Sequence, residues 1–573
     1  MDIFQERPIV SAIRLFGKFN IGTPLDAQEW NVEEKDGVRS SYVAYNGHVV
    51  EDGCVRIAAK FVKPIGGAAE KPTVLFLPDV EQDVDEETLA FFTSRGYAVL
   101  VPDYRGFAEN ESIFEHHTIY PGSLDHGNYA YARGVYDLKG IAAEESSLFE
   151  WVYVALFSVE YLKSREDVGN IGVVGVRSGG AVAWEVMLSS DVKCGIPINA
   201  AGWTSMQKIA KYGDEFAYYL DNGVSRYIAA FEAQSCAPYV KCPVLMLCAM
   251  RDKSFDCDRA YDTFPRIGNG EENALSYSPY SGECIDPNGL ANIHLFLEKN
   301  LKGRQIYLPA PLNIKLTEKG SDLEIRVECD EEGLLAETGI FYAEADVNTK
   351  SVYRDWRCVC ALDGKQVENN TYTYTLKPYA GAKRVFAFAY AKYINGFRVS
   401  SKIASLRLEN DRGDAVRDRL MYAGASVDCF TVTNHSEEAV GRIFLENEVV
   451  PSLTTGYAGI KGVYAKGGVR TYRVTSPQYH PEGNDLLQFE GYSAENQTLN
   501  IVVEVGDIRE DEERFVCSTF IKGGGKWKRV LLNPSDFKSE VTGKSLPSFS
   551  AASALVFDGE DNKEFSIAHV LWL

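Results

Sequence analysis

Ile171-Gly-Val-Val-Gly-Val-Arg-Ser-Gly-Gly-Ala-Val-Ala-Trp184 decides how the first half of the chain folds. Asn170 to Gly175 reads as a short buried strand, and a helix follows over about Gly180 to Ser189. The glycine-rich turn between them has the context of a nucleophile elbow, G-x-S-x-G. In such a turn the strained backbone holds one side chain above the sheet, and a Cβ on either flank would clash. Gly175 and Gly179 fill the two glycine places, and the residue at the tip is Arg177. A guanidinium stays protonated and has no lone pair with which to attack a carbonyl. Ser178 stands one place late, and a frame with Ser178 at the tip would put Val176 in the first glycine place, so Arg177 is the favoured tip.

Working outward, strands and helices alternate from about residue 40 to 303. Val55 to Val62, Pro72 to Leu77 and Tyr97 to Val101 read as strands. Glu86 to Arg95 and Phe149 to Lys163 read as helices, and Cys194 to Ile198 and Pro243 to Cys248 complete the strand series before a closing helix, Leu290 to Leu301. Helices of this length between strands mean βαβ units and a mostly parallel sheet. After Gly303 the pattern changes. Leu308-Pro-Ala-Pro-Leu312 looks like a linker, and strands alone follow, with turn residues at sandwich-like spacing. A charged stretch, Glu409 to Arg419, separates a second all-β block. The expected organisation is an extension over 1–39 packed on the first unit, and an α/β unit over 40–305 with insertions near 105–150 and 203–241. Two β-sandwiches follow, over 306–408 and 409–573.

Composition bounds the function. The chain of 573 residues has 59 basic and 81 acidic side chains, a formal charge of −22. That charge repels phosphate backbones and anionic membranes, so neither nucleic acid nor a membrane is an expected partner. The first residues lack the basic start and apolar run of a secretory signal, and no apolar stretch is long enough to span a bilayer. The 12 cysteines show no CxxC and no disulfide framework, which fits a reducing cytoplasm. Neither they nor the eight histidines have zinc-ligand spacing, and no nucleotide-binding glycine motif is present, so no metal or cofactor is expected. The 32 Tyr and 29 Phe suit β structure, or surfaces that face a sugar or another flat ligand.

Residues of about 40–303 resemble bacterial α/β-hydrolases of the acetyl-xylan-esterase, dienelactone-hydrolase and cocaine-esterase kind. The resemblance rests on Gly96-Tyr-Ala-Val-Leu-Val-Pro-Asp-Tyr-Arg-Gly106, on the elbow strand, and on Cys242-Pro-Val-Leu-Met-Leu-Cys-Ala-Met-Arg-Asp252. The terminal helix, ending Leu297-Glu-Lys-Asn-Leu-Lys-Gly303, matches as well. It implies an α/β-hydrolase doubly wound sheet and puts Asp252 at the family's acid position. The departures fall on the chemistry. The family's serine matches Arg177, and its histidine is expected within Ser278-Pro-Tyr-Ser-Gly-Glu-Cys-Ile-Asp-Pro287, where Glu283 or Cys284 stands instead. His294 comes about three helical turns too late and suits helix packing. The usual His-Gly of the oxyanion loop is Pro78-Asp79, where a proline has no N–H to give and a carboxylate would repel developing negative charge. The last block resembles a jelly-roll carbohydrate-binding module through Trp527 to Phe537 and Phe565 to Leu573, with Trp527 and Trp572 expected in its core. The middle block resembles a fibronectin- or immunoglobulin-like sandwich, with Tyr353 to Trp356 as a packing corner.

The expected function is that of a pseudo-esterase, or of a binding protein for a small molecule or carbohydrate, without standard serine-hydrolase activity. Arg177, Asp79, Tyr104, Arg105 and Glu283 are the candidate ligand contacts. Arg177 could either grip a carboxylate or sulfate, or plug a dead site by pairing with Asp252 or Asp79. An active hydrolase using Ser178 or Cys284 with Asp252 is one alternative, with His116, His117 and His126 in a loop that could cover the pocket. A carbohydrate-binding or assembly protein acting through its β domains is the other. The sequence leaves the oligomeric state open.

Overall fold

The computed structural model describes residues 7–573 except 83, 108–116, 207–208, 213–220, 270–271, 331, 346–348, 361–363, 369, 411, 425, 434–449, 508–510 and 561–562. Its first unit is built on a nine-stranded sheet. The strands are β1 (Gln28–Lys35), β2 (Val38–Val50), β3 (Gly53–Pro64), β4 (Lys71–Leu77), β5 (Ala98–Pro102), β6 (Val168–Val176), β7 (Val192–Ile198), β8 (Leu245–Ala249) and β9 (Ala274–Ser278). Their spatial order is β1-β2-β3-β5-β4-β6-β7-β8-β9. The first three strands are antiparallel, β3 pairs antiparallel with β5, and β4 to β9 run parallel.

Among the described residues, eight helices accompany the sheet: α1 (Ala12–Phe16), α2 (Glu86–Thr93), α3 (Ser147–Lys163), α4 (Ser178–Val186), α5 (Asn222–Phe231), α6 (Ala233–Cys236), α7 (Cys257–Thr263) and α8 (Pro287–Asn300). The central strands are apolar without alternation because both faces are covered. On β4, Leu75 and Leu77 pack with Trp151 and Val152 of α3 and Val182 of α4. Val74 and Phe76 of the same strand pack on the other face with Leu89 and Phe92 of α2 and Phe296 of α8. Ser146 caps α3 by accepting from the Phe149 amide, and Asp85 caps α2 through the Thr88 amide. Residues before 40 do more than pack on this unit, since β1 is its edge strand and Ala12 and Phe16 of α1 join its core.

One buried acid gives the unit a pH dependence. Glu185 of α4 is 1% exposed and accepts from the Cys236 Sγ at 2.9 Å. Burial pushes its carboxyl up to about 8. The folded state therefore keeps a proton that the unfolded chain releases, and stability falls as pH rises from the ordinary carboxyl range to about 8. The slope approaches about 1.4 kcal/mol per pH unit and flattens above that range. Glu185→Gln should reduce, by this share, the slope in denaturation curves taken across the window, the remainder coming from other raised carboxyls such as Asp103.

The second unit is a sandwich of a four-stranded and a five-stranded antiparallel sheet, and the third a sandwich of two six-stranded sheets. Alternation sets their cores: along Asp322–Glu328, Leu323, Ile325 and Val327 point inward. Trp572 lies in the core of the third unit at 1% exposure. Trp527 differs from expectation. It is half-buried, its ring lies against Gly456 and Gly462, where a Cβ would come within 3 Å of the indole, and it leans on Tyr492 at 5.4 Å. It covers backbone beside the sheet and does not join the core between the sheets.

The units are fastened at buried junctions. Asn292 of α8 exchanges two hydrogen bonds with the Arg398 backbone at 2.7 and 2.9 Å. Arg354, in the Tyr353 to Trp356 corner, closes a bidentate pair on Asp258 of α7, with its guanidinium 3.5 Å from the Phe386 ring centroid. Arg251 donates to the Val352 carbonyl at 2.8 Å and lies 4.5 Å over the Tyr472 ring of the third unit.

Candidate functional site

The site is built at the C-terminal ends of the parallel strands, where β6 turns into α4. Arg177 is the tip of that turn, with φ 49° and ψ −107°. A residue other than glycine in this region stores strain, and the turn persists because its surroundings hold it. A Cβ on Gly175 would lie 2.3 Å from the Gly179 carbonyl oxygen, and one on Gly179 would lie 2.2 Å from that of Leu77, so both flanks must be glycine. Ser178 is the first residue of the helix, not the tip.

The Arg177 guanidinium is 12% exposed and stands among three carboxylates. Asp79, after β4, is 3.4 Å away; Asp252, after β8, is 3.6 Å away; Glu283, in the loop after β9, is 3.4 Å away. Ser254 Oγ accepts a further hydrogen bond from the guanidinium at 2.8 Å. Burial disfavours the Arg177 charge, but Asp252, Asp79 and Glu283 outweigh it and hold the proton more tightly than usual. Asp252 is buried, and burial pushes its carboxyl up to about 6 although Arg177 pulls the other way. The Ser254 and Phe255 amides donate to its Oδ1 at 2.6 and 3.0 Å.

Asp79 occupies a second position of consequence. An oxyanion site on this turn would use the amide of the residue after the tip and an amide of the loop after β4. The Ser178 amide donates to Asp79 Oδ1 at 3.3 Å and the Val80 amide donates to the same oxygen at 2.9 Å. The Ser178 hydroxyl donates to that oxygen too, and accepts from the Val80 amide at 2.8 Å. Both amides are thus taken by the chain's own carboxylate. Tyr104 closes this corner, donating to the Pro78 carbonyl at 2.6 Å, and burial raises its phenol above the ordinary range. Arg105 donates to the Val80 carbonyl and so shapes the same loop.

The other sequence candidates lie apart. Cys284 is buried in a small cluster with Val432 of the third unit, while Glu283 beside it faces Arg177. His294 sits on α8, with its pKa lowered by burial, and does not line the cavity. His126 is buried at 3% exposure against Arg133, and burial lowers it to about 4. His117 faces Asp103 at 3.8 Å, and His116 lies outside the described residues. Asp256, Cys257 and Asp258 bring their donor atoms within 4.8 Å of one another, but Asp258 is already held by Arg354 and Asp256 by Ser351 and Arg259.

Beside Arg177 opens a cavity of about 260 Å³. Its walls include Tyr129, Tyr136, Trp203, Tyr227 and Phe255. No sequence motif marks these residues, because they come from the stretches between β5 and α3 and between β7 and α7. The loop carrying Asp252 is also braced from outside the unit, since Arg251 and Asp256 on either side of it bind Val352 and Ser351 of the second unit.

The sequence matches no protein-family model and no curated protein. Similar solved structures include an acetyl xylan esterase from Paenibacillus sp. R4, at 18% identity over 52% of this chain and 98% of that one, with a TM-score of 0.37. Acetyl xylan esterase 1 from Thermoanaerobacterium sp. JW/SL YS485 is similar at 15% identity over 48% of this chain and 90% of that one, with a TM-score of 0.34. A cold-adapted esterase from an Arctic intertidal metagenomic library is similar at 14% identity over 48% of this chain and 99% of that one, with a TM-score of 0.32. The strand order, the strained elbow and the acid loop after β8 give the first unit of this chain the α/β-hydrolase fold.

Proposed function

We propose that the α/β-hydrolase unit binds a small molecule and does not transfer acyl groups. The observation that supports this most directly is Asp79 lying across the Ser178 and Val80 amides. An ester oxygen that develops negative charge needs those donors and would instead meet a carboxylate. The remaining positions agree. Arg177 cannot act as a nucleophile, Glu283 takes the place expected of a base, and Asp252 is bound to Arg177 instead of orienting a histidine. The cavity beside them keeps room for a ligand.

The test is catalytic. The full-length protein, given aryl acetates, acetylated xylo-oligosaccharides and a fluorophosphonate probe, should show background turnover and no covalent adduct. Ser178→Ala and Cys284→Ala should change nothing. Ester turnover that disappears in either variant overturns the proposal.

A further inference from the structure

The ligand's charge can be read from the cavity's walls. Among the described residues, the charged side chains that line it are Asp79, Glu81 and Asp256 against Arg177 alone. Asp256 is answered by Arg259 at 3.3 Å. Arg177 is spent on Asp79, and on Asp252 and Glu283 behind it, and Lys253 also meets Glu283 at 3.5 Å. Glu81, exposed at the mouth, accepts from the Tyr129 hydroxyl at 2.9 Å. The balance is negative, and it opposes the idea that Arg177 grips an anion, since any acid approaching the guanidinium must also approach its three carboxylates.

The walls supply the second half of the argument. Tyr136 is exposed at 59% and stands over the cavity within electrostatic reach of Asp79 and Arg177. Tyr129 lies beside it, and Tyr227 and Phe255 form the buried interior. Aromatic faces carry negative quadrupoles and attract a desolvated cation, most strongly where carboxylates add to the field. Trp203 shows the preference within the chain: the Arg266 guanidinium lies 5.7 Å from its ring centroid.

We infer that the cavity beside Arg177 takes a small organic cation, an ammonium group carried on a flat or apolar body, with the ammonium held between Tyr136, Tyr129 and Glu81. The inference rests on the reading of this unit as a binding protein, and it is tested by equilibrium binding, which ester turnover does not affect.

Benzylamine, benzyl alcohol and benzoate share one ring and differ in charge. Titration calorimetry with the full-length protein should rank them in that order, with benzylamine ahead of the alcohol by about tenfold and benzoate not binding. Glu81→Gln and Tyr136→Leu change exposed side chains, so folding should survive. Each should weaken benzylamine by about threefold to tenfold, and by more than it weakens benzyl alcohol. Equal binding of the amine and the alcohol, tighter binding of benzoate, no binding of any probe, or no effect of either variant overturns the inference. A protein that hydrolysed esters yet kept the charge ranking would instead defeat the functional proposal and leave the cation site standing.

Discussion

Arg177→Ala should lower the stability of the protein by about 3–5 kcal/mol, the usual cost of removing one partner from a buried ion pair. The guanidinium is the cation shared by Asp79, Asp252 and Glu283, and Asp252 is fully enclosed. Without it, burial is opposed only by the Ser254 and Phe255 amides, and the carboxyl moves above its present value of about 6. The variant then regains part of its loss by protonating Asp252 in the folded state. A raised carboxyl makes stability fall as pH rises from the unfolded value, near 4, to the folded one. The deficit should therefore be smaller at about pH 5 than at about pH 8. Asp252→Asn added to Arg177→Ala should recover part of the loss at the higher pH. Denaturation curves of the two variants at both pH values check this. A loss within about 0.5 kcal/mol, the usual range for a surface substitution, would mean that the cluster contributes no net stability. Arg177→Ser should be no esterase, because it restores neither a histidine nor a vacant pair of amides.

The second large effect is expected at the junction with the middle unit. Arg354 and Asp258 are 2% and 3% exposed, and they meet through two parallel hydrogen bonds. Arg354→Ala leaves a buried carboxylate without its cation and strips the face of Phe386, again a cost of about 3–5 kcal/mol. Asp258→Asn should cost somewhat less, because the amide can keep one of the two hydrogen bonds. The double variant should be less destabilised than the sum of the two, by about 0.5–3 kcal/mol, since both remove one interaction. Strict additivity would show that the pair does not couple. Because α7 begins just beyond the Asp252 loop, Arg354→Ala should also weaken benzylamine binding, although Arg354 does not touch the cavity.

The parallel strands were legible because each is an apolar run bounded by turn residues. The elbow was legible because only glycine fits at 175 and 179. By contrast, Gln28–Lys35 is mostly exposed and charged, and it joins the sheet only by pairing with β2, so its pattern did not announce a strand. At the site, the sequence left Glu283 and Cys284 as equals. The direction in which the loop after β9 turns separated them, sending Glu283 to Arg177 and Cys284 to the third unit. The bridging of both amides by Asp79 depends on its 3.3 Å contact with the Ser178 amide, 99 residues along the chain, which no spacing rule encodes. The same holds for the aromatic walls, which two long connections deliver separately.

Asp79 has one more consequence. A carboxylate is what ester hydrolysis leaves behind, and here one is fastened to the backbone in front of the donors that would hold it. It occupies those two donors as a tethered acid. Its effective concentration at those amides is set by the loop's geometry and not by solution, and it exceeds what a free acid or acyl group could reach. The corner of the cavity at Ser178 and Val80 is therefore saturated at every ligand concentration. On the binding proposal, selection of what enters then falls to Tyr129, Tyr136 and Glu81.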